Sequence, residues 1–253
     1  MMKYPIGFLL IVNVCLAAKI KPKCNMTVED ADMCAKKLMF IGDRDNIIPA
    51  DEQQMDSYCS RMNEGLRCIR HYARSCLPPF PQQVFGMFAY DSRTVMRHQC
   101  RHTKDRSEFI RHSACFLPKP SMEPLHLCMD RYTLHLDLIR TMDPDTKISA
   151  VCCGFHLFQD CIQKSTQSLC EPKTGIETAD YIMSIINSMT NDVLDFTCGR
   201  FESIEKCDKY MDEKAWNALK EPKSTEEIVT ERAKQKFVSP IPALVAVITN
   251  YEL

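Results

Sequence analysis

Glycine is scarce in this 253-residue chain, at 7 against 14 prolines, which excludes a collagen-like or low-complexity sequence. Strand signals are equally thin: no Asn-Gly or Asp-Gly turn occurs, and no stretch sustains the two-residue apolar alternation of a half-buried strand. Neither sign of charge dominates, with 32 Lys and Arg against 33 Asp and Glu. A nucleic-acid partner is therefore not expected. Signatures of catalysis are missing as well. There is no Gly-x-Ser-x-Gly elbow, no glycine-rich phosphate loop and no His-Glu-x-x-His pair, so the chain reads as a non-enzyme without a cofactor.

What the chain has in excess is cysteine, 15 in all. In an oxidising compartment that number reads as a disulfide framework. The N-terminus points the same way. Lys3 precedes the apolar run Ile6-Gly7-Phe8-Leu9-Leu10-Ile11-Val12, and small residues follow at Ala17-Ala18, so residues 1–18 are expected to be a secretory signal peptide. The run is too short for a helix crossing a bilayer of about 30 Å, and no later stretch is long enough, so no transmembrane segment is expected. Removal of residues 1–18 takes Cys15 and leaves 14 cysteines, an even number that can close as seven bridges. Asn25-Met26-Thr27 is a glycosylation sequon beside Cys24, which makes Asn25 the candidate glycan site.

The cysteines repeat. Cys34, Cys59, Cys68, Cys76 and Cys100 are separated by 25, 9, 8 and 24 positions, and Cys128, Cys152, Cys161, Cys170 and Cys198 by 24, 9, 9 and 28. Two tandem units are expected from this pattern, residues 24–118 and 121–210, with Pro118-Lys119-Pro120 as the linker and 211–253 as a charged tail. Cys24, Cys115, Cys153 and Cys207 are left over from the repeat.

Periodicity inside each unit is helical. Cys59, Met62, Leu66, Ile69, Ala73 and Cys76 form one stripe, Pro78-Pro79-Phe80-Pro81 stops that helix, and a second runs from Val84 to Cys100. If these two helices are antiparallel, Cys59 falls opposite Cys100. By the repeat, Cys198 pairs with Cys152 or Cys153. In the second unit Asp143-Pro144 opens a helix carrying Ile148, Val151, Cys152, Phe155, Phe158 and Ile162, and a further stripe follows through Ala179, Ile182, Ile186, Met189, Val193 and Phe196. Ser224 and Glu227 form a capping box for a last helix extending to about Phe237. The expected class is all-α, a disulfide-stapled helical bundle of two tandem repeats, with the cysteine-free tail loosely attached.

Three groups could carry binding. Residues 61–120 hold eleven Lys and Arg against four acids, while 121–253 hold 14 against 21. Within the basic part, Arg93, Arg97 and Arg101 lie on one helical stripe that could grip an extracellular polyanion; the plainer reading is a solvated helix face. Met55, Met62, Phe85, Met87, Phe88, Phe155, Phe158 and Met189 read as core, or as the lining of a cavity for an apolar small molecule. His98 and His102 at i, i+4, with His112 nearby, have metal-binding spacing, but Arg97 and Arg101 repel a cation, so no metal site is expected. Cys152, Cys153 and Cys161 with His156 read as bridge cysteines before they read as a metal cluster.

The stretches Cys59-Ser-Arg-Met-Asn-Glu-Gly-Leu-Arg-Cys68-Ile-Arg, Cys152-Cys153-Gly-Phe-His-Leu-Phe-Gln-Asp-Cys161 and Val193-Leu-Asp-Phe-Thr-Cys198 resemble the secreted 27 kDa haemolymph glycoprotein family of arthropods. The likeness runs over about residues 24–210 and rests mainly on cysteine spacing. It implies a soluble, extracellular, helical protein, and it brings no catalytic residue with it. The residues themselves are read as those of a secreted binding or carrier protein, the alternative being an extracellular interaction module that acts through the basic first repeat.

Overall fold

A computed structural model of the chain describes residues 24–117 and 119–249. The signal-peptide reading of residues 1–18 and Pro118 of the linker lie outside these. Helix makes up 79% of the described residues, and no strand occurs among them.

The chain runs through α1 (Val28–Lys36), α2 (Glu52–Cys76), α3 (Pro79–Arg101), α4 (Thr103–Ser113), α5 (Glu123–Arg140), α6 (Pro144–Thr174), α7 (Glu177–Thr197), α8 (Ile204–Tyr210), α9 (Glu213–Lys220), α10 (Thr225–Arg232) and α11 (Ile241–Thr249), with two 3-10 turns between α4 and α5. Local chemistry sets most of the starts. The Thr27 hydroxyl accepts the Asp30 N–H and the Asp30 carboxylate accepts the Thr27 N–H, a reciprocal cap that opens α1. Asp51 accepts the Gln54 N–H to open α2. Proline at the first positions pre-sets the backbone of α3 and α6. Asp143 precedes α6 as expected, but its side chain makes no capping hydrogen bond. The Ser224–Glu227 box opens α10, which ends at Arg232, short of Phe237.

Seven disulfides tie these helices together. Cys34–Cys68 joins α1 to α2, Cys59–Cys100 joins α2 to α3, and Cys24–Cys76 fixes the segment before α1 to the end of α2. Cys128–Cys161 joins α5 to α6, Cys152–Cys198 joins α6 to the end of α7, and Cys115–Cys170 fixes a 3-10 turn to the last part of α6. Cys153–Cys207 binds α6 to α8. Glycine is required at one of these contacts. A Cβ on Gly65 would lie 3.0 Å from the Cys34 carbonyl oxygen and 2.8 Å from Leu38 Cδ2. Its absence lets α1 lie close to α2, three positions before Cys68 on the same face.

One continuous group of buried side chains draws on both halves, from Ile69 and Phe85 to Leu136, Ile162 and Ile182. The halves meet where α3 packs on α7. Of the α7 stripe, Ala179, Ile182 and Ile186 are buried, but Met189 and Val193 are only half-buried and Phe196 is 46% exposed. On α6, Ile148, Val151 and Phe155 are also half-buried. Their stripes are continuous in sequence yet stop short of a closed core.

The tail is not loosely attached, contrary to expectation. α11 packs on α1 and α5, and α10 on α5. Asp32 of α1, itself buried, accepts hydrogen bonds from the backbone N–H groups of Val238 and Ser239 and from the Ser239 hydroxyl. Arg232 donates to buried Asp130 of α5 at 3.1 Å and to the carbonyl oxygens of Phe237 and Val238. Polar anchors replace the missing bridge. A composition-based reading sees only that cysteine is absent from the tail, because the bonds to Asp130 and Asp32 join residues about a hundred and two hundred positions apart.

Candidate functional site: an apolar cavity between the two cysteine-linked halves

A cavity of about 270 Å³ opens where α1, α3, α5, α6, α7 and α11 converge. α3 contributes Phe80, Val84, Phe85 and Phe88, α6 contributes Ile148, Val151, Phe155 and Phe158, and α7 contributes Met189, Val193 and Leu194. The Cys152–Cys198 bridge forms part of the wall. Ile241, Leu244 and Ile248 of the docked tail form another part. The half-buried positions on α6 and α7 are therefore half-buried because they face this space, and Phe196, tilted against Phe80 at 6.2 Å between ring centres, stands beside it.

The chemistry of the lining is uniform. No Lys, Arg, His, Asp or Glu lines the cavity. Its two threonines are spent on their own helix, since the Thr190 hydroxyl donates to the Ile186 carbonyl at 2.8 Å and the Thr197 hydroxyl to the Val193 carbonyl at 2.6 Å. Tyr132, Phe155 and Phe158 form an aromatic corner with ring centres 5.3 to 5.9 Å apart. Burial pushes the Tyr132 phenol well above its ordinary range, so it stays neutral. The cavity can hold an apolar group. It cannot neutralise a charge.

Of the apolar residues picked from the sequence, Phe85, Phe88, Phe155, Phe158 and Met189 line this space. Met55 and Met62 do not; they lie in a separate buried cluster with Tyr58, Met96 and Phe109. Met87 is half-buried on α3 and is not part of this lining. The contribution of Ile241, Leu244 and Ile248 was not legible in the sequence, where they read only as a short apolar run.

Arg93, Arg97 and Arg101 are exposed on α3, and no ion pair engages them among the described residues. Arg70 of α2 is pushed below its ordinary range by partial burial and then by Arg74 and Arg93. The basic surface thus crosses from α3 onto α2.

His112 does not join His98 and His102. It is buried, stacked on Tyr181 at 4.2 Å, and paired through Nδ1 with the Thr178 hydroxyl at 2.8 Å. Asp105 takes the third place beside His98 and His102 instead. Cys152, Cys153 and Cys161 are all in disulfides, and the His156 ring meets the Phe201 carbonyl at 2.9 Å. Glu227 is occupied in the capping box of α10. Asn25 is exposed, and the hydroxyl of Thr27 in its sequon caps α1.

The chain matches no protein-family model. No curated protein matches it at a significant level. No solved structure does either.

Proposed function

We propose that the chain is an exported, non-enzymatic carrier of a neutral, apolar small molecule, built from a duplicated disulfide-linked helical unit. The observation that carries this reading is the cavity whose wall offers hydrocarbon and aromatic surface with no charged group and no free threonine hydroxyl. Its volume is close to the lower end of ligand pockets, about 300–1,000 Å³. A fatty-acid carboxylate would be buried there without a partner, at a cost that excludes it from the interior. The preferred ligand class is therefore uncharged, such as a hydrocarbon, an ester or a terpenoid.

Export is supported by seven bridges that consume every cysteine from Cys24 onward. Duplication is supported by their order. Pairs separated by 52, 34 and 41 residues in the first half correspond to pairs separated by 55, 33 and 46 in the second. The resemblance to 27 kDa haemolymph glycoproteins fits a circulating carrier.

The test is organic extraction of protein purified under native conditions, with mass spectrometry of the extract, together with titration of the neutral fluorescent probe N-phenyl-1-naphthylamine. Val151→Trp places an indole in the space, and the probe's affinity is expected to fall about tenfold or more, equal to about 1.4 kcal/mol. A Val151→Trp variant that binds the probe as tightly as the unaltered protein would refute the carrier reading.

The unpaired arginine surface favours a second activity, binding of an extracellular polyanion such as a sulfated glycan. The expected result is salt-sensitive retention on immobilised heparin that is lost when Arg93, Arg97 and Arg101 are all changed to Ala. Retention that survives the triple change assigns the binding elsewhere.

A further inference from the structure

We infer that His98, His102 and Asp105 form a binding site for a divalent transition-metal ion of the zinc class. One ligand atom from each side chain lies within 4.8 Å of the other two. Ligands of one tetrahedral zinc ion, with bonds of about 2.0–2.1 Å, stand about 3.4 Å apart. The difference is about an ångström for each group, which a small rotamer adjustment supplies, because both histidines are exposed and Asp105 is half-exposed.

The backbone explains why these three meet. His98 lies in the last turn of α3, and His102 is the single residue between α3 and α4, with extended backbone (φ −99°, ψ 125°). That break redirects the chain, so Asp105 in the first turn of α4 comes back beside the histidines. His102 occupies the capping position of α4 without making a side-chain cap. The His98 and His102 rings stand 6.1 Å apart between centres, and among the described residues none of the three side chains is engaged in a hydrogen bond or ion pair.

The platform is held independently of any metal. Cys100, between the two histidines, is bonded to Cys59 of α2. α4 is pinned to α2 by Arg106, which pairs with Glu52 and Asp56, and by Phe109 stacked on Tyr58 at 5.2 Å. Arg106 is thereby turned to those acids instead of standing free beside Asp105, and Arg97 and Arg101, whose charge argued against a metal in the sequence, are exposed to solvent, where water and salt screen their repulsion. Two imidazoles and one carboxylate suit Zn²⁺ or Cu²⁺ and are too few and too nitrogen-rich for Ca²⁺ or Mg²⁺. Three ligands leave a position open to water or an external donor.

The experiment uses the full disulfide-intact protein, treated with chelator, dialysed, and titrated with zinc chloride alone by calorimetry. One ion per chain is expected. His98→Ala, His102→Ala and Asp105→Asn should each weaken binding about tenfold or more, while His71→Ala, at an exposed histidine of α2, should not change it. Because exposed substitutions can still disturb the α3–α4 junction, the unaltered protein is also followed by NMR. Among its seven histidines, only the His98 and His102 ring signals should move at stoichiometric zinc. Absence of zinc binding, binding that survives the His98→Ala/His102→Ala double change, or shifts confined to other histidines would each overturn the assignment.

Discussion

Lowering the pH from 7.5 to 5 is expected to remove about 2 kcal/mol of stability through His135 alone. His135 is buried on α5 against α6, its Nδ1 has no hydrogen-bond partner, and burial, then Arg131 and Lys223, push its pKa down to about 4. In the unfolded chain the same ring titrates near its ordinary value of about 6.5. Between those values the unfolded state holds a proton that the folded state refuses, so acid favours unfolding. The contribution is intact above about 6.5 and is lost progressively as the pH falls toward 4.

Two further buried rings act in the same direction. His126 is pushed down by burial and then by Arg44, and its Nδ1 accepts the Gly42 N–H at 2.8 Å, a bond that protonation at Nδ1 would destroy. His112 is pushed down by burial and then by Arg111, whose guanidinium donates to Nε2 at 2.8 Å. Carboxylates held low by cationic partners, such as Glu123 beside Arg44, lose their contribution nearer their own range of about 4. Asp91, raised by burial and then by Asp192, works in the opposite sense as acid protonates it. Between pH 6.5 and 5 the imidazoles therefore drive the loss of stability, and comparison with a His135 variant separates the share of that ring. Denaturant unfolding with the bridges intact, followed by the fluorescence of Trp216, the only tryptophan, measures the effect. In His135→Leu the stability difference between pH 7.5 and pH 5 should shrink by about 2 kcal/mol. An unchanged difference would mean that another group carries the acid sensitivity.

The helices that were legible in the sequence are those whose apolar residues step by three and four, α2, α6 and α7, together with α3 behind its prolines and α10 behind its capping box. α1, α8 and α9 are nine residues or fewer, and short helices give too few turns for a periodic signal. α11 is apolar nearly all round, which masks its period. α4 and α5 fell between the segments where the stripes were strongest. Cysteine spacing carried the opposition of Cys59 and Cys100 but left Cys198 with two candidate partners, because spacing along a chain does not say which side of α6 faces α7. The cavity was legible only as a choice: stripes of Phe and Met are the same whether neighbouring helices close on them or stand slightly apart. Asp105 was hidden for a related reason, since helical periodicity runs through His98 and His102 as if no break followed.

The adjacent cysteines of α6 make that geometry testable by a pair of double changes. Successive residues of a helix point about 100° apart, so Cys152 reaches Cys198 at the end of α7 while Cys153 reaches Cys207 on α8. The bridges close loops of similar length, with separations of 46 and 54 residues, and on the chain-entropy account each stabilises the fold by about 4 kcal/mol. Cys152→Ala/Cys198→Ala and Cys153→Ala/Cys207→Ala should therefore lose nearly equal stability. Their effects on binding should differ. Cys152 and Cys198 are part of the cavity wall and hold the half-buried end of α7, with Val193 and Leu194, against α6, whereas Cys153 and Cys207 do not touch that space. Affinity for the neutral probe is expected to fall about tenfold or more in the first variant and to change by less than about twofold in the second. Equal weakening in both would mean that binding follows global stability, and the cavity wall would lose its special role. Different weakening at equal stability would tie the probe to the junction of α6 and α7, where the sequence places its two cysteines side by side and the fold sends them to different helices.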